Sequence, residues 1–200
     1  MTRKNRFFYR LIRFFFRIAS VIAMPVRAEG LERLPEGAAI FCANHTTAVD
    51  PALLALALER RRYIRFVAKA QARDIPVFGR MLEAAGVIFV RRDGKDYDSI
   101  RACLRVLSDG EQLMIFPEGT RVKPGQTVKP QNGAVHLASR KGVPLVPVYI
   151  PREKRIFRPV SVRFGEAYTV SKTPEEGLDA LSAELMERIA ALGERDGEHT

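Results

Sequence analysis

The chain is 200 residues long and has only two cysteines and three histidines. Cys42 and Cys103 are too few for a disulfide framework and stand in no metal-type spacing. They read as reduced, buried small hydrophobes in a cytosol-facing protein. His45, His136 and His199 are too scattered for a zinc cluster, so no metal is expected. No apolar run approaches the roughly 20 residues that a membrane-spanning helix needs. The uncharged stretch Ile18–Val26 is interrupted by Pro25. Charge and apolarity interleave at the amino terminus, whereas a cleaved signal peptide puts its charge first. There is no internal repeat and no low-complexity linker, which leaves one domain of ordinary size.

Hydrophobic residues make up 46% of the chain, which excludes disorder as a description of the whole. The net charge is +10, unevenly spread. Residues 1–172 hold 31 basic and 15 acidic side chains, and the last 28 residues hold 2 and 8. So basic a body wants an anionic partner: nucleic acid, anionic lipid, coenzyme A or an acidic carrier protein. No sequence signature of a nucleic-acid-binding module appears, so nucleic acid is not the expected partner.

Arg3, Arg6, Arg10, Arg13 and Arg17 recur at steps of three and four, which makes a basic stripe on a helix. Phe7, Phe8, Leu11, Ile12, Phe14, Phe15, Phe16 and Ile18 cover the opposite side and flanks. The pattern predicts an amphipathic helix over residues 1–25 lying in an anionic membrane interface. Packing on the domain, or dimerisation, is the alternative.

Residues 26–200 alternate apolar runs with helix-like segments, which predicts an α/β sheet-and-helix domain. Strands are expected at Ala38–Ala43, Ile64–Ala68, Gly86–Val90, Leu113–Phe116, Pro144–Ile150 and Val160–Phe164. Helices are expected at Pro51–Arg62, Val77–Ala85, Tyr97–Ser108, Gln131–Lys141 and Pro174–Leu192. Pro174, Glu175 and Glu176 give the last helix its start signal.

Three segments carry chemistry. His45 follows a strand and Asp50 opens a helix, at the kind of strand end where α/β sheets collect reacting groups. Asp50 can accept from the His45 ring, fix its tautomer and leave the other nitrogen as a base. Asp50 before Pro51 can equally be a helix N-cap. Phe116–Arg121 follows another strand: Gly119 permits a tight turn, and Arg121 can grip a phosphate with its fork. Glu118 and Arg121 can instead form a plain surface ion pair. Gly86–Val90 ends in Arg91 and Arg92, which alternation sends to opposite faces.

Together these segments resemble the glycerolipid acyltransferase family, best known from bacterial lysophosphatidate acyltransferases. His45 and Asp50 match its His-x4-Asp pair. Gly86, Phe89 and Arg92 match its Gly-x-x-Phe-x-x-Arg block. Phe116-Pro117-Glu118-Gly119-Thr120-Arg121 matches its third block completely, and Val143–Val148 fits the weaker fourth. Arg91 departs from the acidic residue that many members carry there, which makes the pocket more basic.

The resemblance implies an acyltransferase domain over residues 26–200. It would transfer a fatty acyl group from acyl-CoA or acyl-carrier protein to the sn-2 hydroxyl of lysophosphatidate, giving phosphatidate without a cofactor. His45 would be the general base and Asp50 its orienter. Arg92, Glu118, Gly119, Thr120 and Arg121 would bind the acceptor. Arg60, Arg61, Arg62, Arg65 and Lys69 can meet the anionic donor or form a solvated basic face. The resemblance also implies a peripheral or monotopic place on the cytoplasmic face of the cell membrane. Another lysolipid, glycerol 3-phosphate or an aminoacyl lipid as acceptor stays open. So does a non-catalytic basic peripheral membrane or nucleic-acid-binding protein. His45→Ala and Asp50→Asn are both expected to fold normally and lose transfer.

Overall fold

The structure is a computed structural model that describes residues 2–58, 62–91, 96–123, 125–171 and 177–194. Seven strands form one sheet: β1 (Val26–Glu29), β2 (Ala39–Ala43), β3 (Ile64–Lys69), β4 (Ile88–Val90), β5 (Gln112–Ile115), β6 (Leu145–Tyr149) and β7 (Val160–Phe164). Their spatial order is β1-β7-β6-β2-β5-β3-β4. β6, β2, β5, β3 and β4 run parallel, whereas β7 lies antiparallel to β6 and carries β1 alongside it. All five residues of β2 are buried, as expected for a parallel strand covered on both faces.

Among the described residues there are six α-helices: α1 (Arg3–Ala23), α2 (Asp50–Ala57), α3 (Phe78–Ala84), α4 (Tyr97–Ser108), α5 (Gly133–Lys141) and α6 (Leu178–Glu194). Strand alternation assigns the two faces. Phe41 and Met114 pack with Leu53 and Leu54 of α2 and Tyr9 of α1. Ile40, Cys42 and Leu113 pack with Cys103 of α4, Val135 of α5 and Leu185 of α6. α3 lies against α1. Both cysteines are free and buried, and burial pushes the Cys103 thiol up to about 12.

The expected elements are present, with differences at their ends. β1 was not foreseen: it is a short edge strand whose apolar positions alternate with exposed Arg27 and Glu29. α2 stops at Ala57, short of Arg62, because Leu58 turns extended and buries its side chain in the core. The expected start of α6 at Pro174 lies outside the described residues.

α1 divides the arginine stripe. Arg13 is buried and donates to the Leu58 carbonyl, and the Arg6 guanidinium lies 5.5 Å from the Tyr63 ring centre. Asn5 Nδ2 donates to Ala84 O at 2.9 Å. These contacts dock the helix on the domain. Arg3, Arg10 and Arg17 remain exposed, as do Phe7, Leu11, Phe14, Phe15, Ile18 and Val21. Arg13 is therefore turned into the protein, and Arg6, itself exposed, reaches across to the Tyr63 ring. Among the described residues, no helix is long and apolar enough to cross a membrane.

Candidate active site

The adjacent parallel strands β2 and β5 place two of the three chemical segments side by side at their carboxyl ends, and β6 flanks β2 on its other side. Asn44, directly after β2, is 2% exposed. Its side-chain amide donates to Ile150 O at 2.7 Å and accepts from Ile150 N at 2.8 Å. This pair continues the β2–β6 contact one step beyond the strands and fixes where the next residue, His45, leaves the sheet.

The segment after β5 holds His45 from both sides of its backbone. Glu118 Oε2 accepts the His45 N–H at 2.6 Å, and the Val122 N–H donates to the His45 carbonyl at 2.8 Å. The imidazole stacks on the Phe116 ring, 4.2 Å between centres. Gly119 adopts φ 60°, a left-handed conformation that favours glycine, so the chain can turn back here. The buried Glu118 carboxylate thus supports His45, and it does not form the surface ion pair with Arg121 that its spacing allowed. Burial pushes the Glu118 carboxyl up, against the opposing pull of the His45 N–H and the nearby Arg152 charge.

Asp50 closes the site. Its Oδ2 accepts from His45 Nδ1 at 2.9 Å, Thr46 N at 2.7 Å and Thr47 N at 2.8 Å. Its Oδ1 accepts from Thr47 Oγ1 at 2.6 Å and pairs with Lys154 Nζ at 2.9 Å. Asp50 therefore does not cap α2. Val49 occupies the N-cap position, and the carboxylate turns back onto the loop that carries His45. A carboxylate at Nδ1 selects the tautomer that leaves Nε2 with its lone pair. Among the described residues, none hydrogen-bonds Nε2, and the His45 side chain is 17% exposed. The geometry is that of a base with an orienting acid.

Burial alone would raise the Asp50 carboxyl. Bonds from His45, Thr47 and Lys154 outweigh that cost and hold it well below the usual carboxylate range. A depressed native value means that the ionised form stabilises the fold above the unfolded value of about 3.9, and that this stability is lost as the pH falls. The stability advantage of wild type over Asp50→Asn is thus expected at neutral pH and should shrink below about pH 4. Urea midpoints at several pH values read it.

Arg121 is exposed and Thr120 half-buried, on the loop that Val122 ties to His45. Arg92 lies outside the described residues. β4, which precedes it, is an edge strand three steps from β2, roughly 14 Å at the usual strand spacing. Of the candidate acceptor-binding residues, Glu118 touches the His45 backbone, and Gly119, Thr120 and Arg121 lie on the loop between Glu118 and Val122. Of the basic cluster suggested for the donor, Arg62 donates to Pro35 O at 2.7 Å and Arg65 pairs with Glu111 at 3.0 Å. Both are committed within the fold, and Arg60 and Arg61 lie outside the described residues. Sequence reasoning missed Asn44 as a clamp and Lys154 altogether. Lys154 sits 108 positions from Thr46, between Glu153 and Arg155, where it looks like part of a solvated charge run.

The family model described as Acyltransferase matches residues 25–151, and the chain belongs to that family, the glycerolipid acyltransferases. It is 28% identical over 174 residues to the chloroplastic 1-acyl-sn-glycerol-3-phosphate acyltransferase of Arabidopsis thaliana, covering 82% of this chain and 48% of that one. It is 30% identical to the lyso-ornithine lipid O-acyltransferase of Brucella abortus, covering 94% of this chain and 84% of that one. The crystal structure of the 1-acyl-sn-glycerophosphate acyltransferase of Thermotoga maritima has the same fold, with TM-score 0.71 and 24% identity over 94% of this chain and 79% of that one. The chain spans about half the length, or less, of several curated relatives it matches.

Proposed function

We propose that the protein transfers a fatty acyl group from a thioester, acyl-CoA or acyl-carrier protein, to the sn-2 hydroxyl of lysophosphatidate. The observation that carries this reading is the His45–Asp50 bond at the carboxyl ends of the parallel strands. His45 Nε2 takes the acceptor hydroxyl proton as that oxygen attacks the thioester carbonyl. Asp50 keeps the ring oriented and offsets the imidazolium charge. Collapse of the tetrahedral intermediate breaks the C–S bond, and the imidazolium returns the proton to the leaving thiolate. The oxyanion takes hydrogen bonds from backbone N–H groups. No side chain is acylated, and no metal or cofactor enters.

Arg92 and Arg121 hold the acceptor phosphate, with Thr120 adding a hydroxyl. Gly119 lets the backbone approach the glycerol, and Glu118 fixes the loop beside it. Free-thiol release from acyl-CoA tests the reading when measured with and without lysophosphatidate. Acceptor-dependent release supports it. Failure with both donor types and every lysolipid acceptor removes it.

A second reading keeps the chemistry and takes lyso-ornithine lipid as acceptor. It is favoured by the Brucella abortus relative, which aligns over 94% of this chain and 84% of its own. The same assay separates the two acceptors.

The enzyme works at the cytoplasmic face of the membrane, held there peripherally by α1 with anionic lipid around Arg3, Arg10 and Arg17. The exposed apolar residues of α1 support this. So do Ile156 and Phe157, 67% and 73% exposed, on a loop that bonds to the end of α1 through Phe157 N to Ala23 O at 2.7 Å. A cavity of about 730 Å3 between α1 and α3, lined by Phe8, Leu11, Ile12, Phe15, Phe16 and Met81, gives an acyl chain an apolar place beside that surface. Phe14→Ser with Phe15→Ser is expected to lose most binding to anionic vesicles in a sedimentation assay, with the fold unchanged because both rings are exposed. Nucleic acid is not a partner in this account.

A further inference from the structure

We propose that Lys154 is a positioning residue for acyl transfer: its ammonium pins the Asp50 carboxylate that orients His45 and offsets the carboxylate's charge beside the ring. The inference rests on the general-base reading of His45. Lys154 follows β6 in the chain, on the loop beyond Ile150, and its side chain is 5% exposed. Its Nζ lies 2.9 Å from Asp50 Oδ1 and 2.9 Å from Thr46 Oγ1. An ammonium so enclosed is expensive unless it is paired and hydrogen-bonded. Thr46 lies on the His45 loop and Asp50 opens α2, so Lys154 joins the segment after β6 to both ends of the turn between His45 and α2. It is too enclosed, and too committed to these two oxygens, to serve as a substrate ligand.

Its charge has a chemical consequence. His45 Nδ1 and Lys154 Nζ bind opposite oxygens of the same carboxylate. With the ring neutral, Asp50 and Lys154 cancel, and a proton on His45 leaves the trio at +1. Without Lys154 the same proton would neutralise a buried −1 pair, which is the easier step. Asp50 and Lys154 therefore act in opposite senses on the ring. The carboxylate sets its orientation, and the ammonium offsets part of the field that the carboxylate exerts on it. Among the described residues, Glu118 also bears on His45, at its backbone N–H, and it feels the charges of Arg152, His45 and Asp50. Glu118 and Arg152 make no hydrogen bond or ion pair with Asp50.

The test is the pH dependence of kcat/KM for acceptor-dependent thiol release, from about pH 5 to about pH 9, in which range histidine titrates. In Lys154→Met the acid limb is expected to move to higher pH by about one unit. The alkaline plateau should stay within about tenfold of wild type, because base and orienter are both still present. Lys154→Arg, which keeps the charge, should hold the limb near its wild-type position. Lys154→Gln retains a donor and loses the charge; it should show the same shift as Met and serves if the Met variant does not fold. An acid limb that stays in place in the uncharged variants overturns the proposal, whatever the plateau height, and leaves Lys154 a structural tie. His45→Gln is run alongside. If it keeps full activity, the general-base reading itself has failed; if it is inactive while the Lys154 limb is unmoved, only the present inference has.

Discussion

Replacing His45 with glutamine is expected to lower acceptor-dependent acyl transfer by about 10²–10⁴-fold, the usual worth of a positioned general base. The fold should survive. His45 is held through its backbone, to Glu118 and Val122, and those bonds do not depend on the side chain. The ring contributes its stack on Phe116 and its bond to Asp50. Glutamine keeps a donor that can reach the carboxylate, so the stability change should stay within about 1 kcal/mol. Vesicle binding should be unaffected. Loss of rate with the unfolding midpoint and membrane binding intact would separate chemistry from architecture.

Asp50→Ala is expected to be costly in a different way. The side chain is fully buried and takes five contacts, from His45 Nδ1, two backbone N–H groups, the Thr47 hydroxyl and the Lys154 ammonium. Removing it strands a buried ammonium, and breaking a buried pair from one side costs about 3–5 kcal/mol. Typical domain stability is about 5–15 kcal/mol, so the variant should sit close to the edge of folding. The sequence alone suggested that Asp50→Asn would fold normally. The structure revises that: asparagine can still accept from Lys154 but cannot balance its charge, so a smaller but measurable loss is expected. Urea denaturation reads both variants. The double variant Asp50→Ala with Lys154→Met should regain part of the loss, because no unpaired charge remains.

The parts of this architecture that were legible in the sequence are those written in local pattern. The apolar runs Ile40–Ala43 and Leu145–Val148 announce buried parallel strands, and the spacing from His45 to Asp50 announces a pair that can meet. Arg27 and Glu29 concealed β1, because an edge strand needs only one apolar face. Local spacing could not say which way the Asp50 carboxylate turns. A residue before proline at a helix start is ordinarily a cap, and here the three donors of Thr46 and Thr47 win it for the preceding loop. The arginine stripe of α1 gave a correct helix, but its division between protein and exterior depends on Leu58 and Tyr63, which are distant in sequence. Lys154 was out of reach for the same reason. A long-range contact between a charge run and a motif has no periodicity to reveal it.

Acyl transfer to a lysolipid hydroxyl by the His45–Asp50 pair has a direct readout. It is tested most directly by thiol release from acyl-CoA and from acyl-carrier protein, with lysophosphatidate and with lyso-ornithine lipid, for wild type against His45→Gln. Release by wild type should depend on one of these acceptors and fall at least about a hundredfold in the variant. Equal release by the two proteins, or no acceptor-dependent release by folded, membrane-bound wild type with any donor and lysolipid, would contradict it.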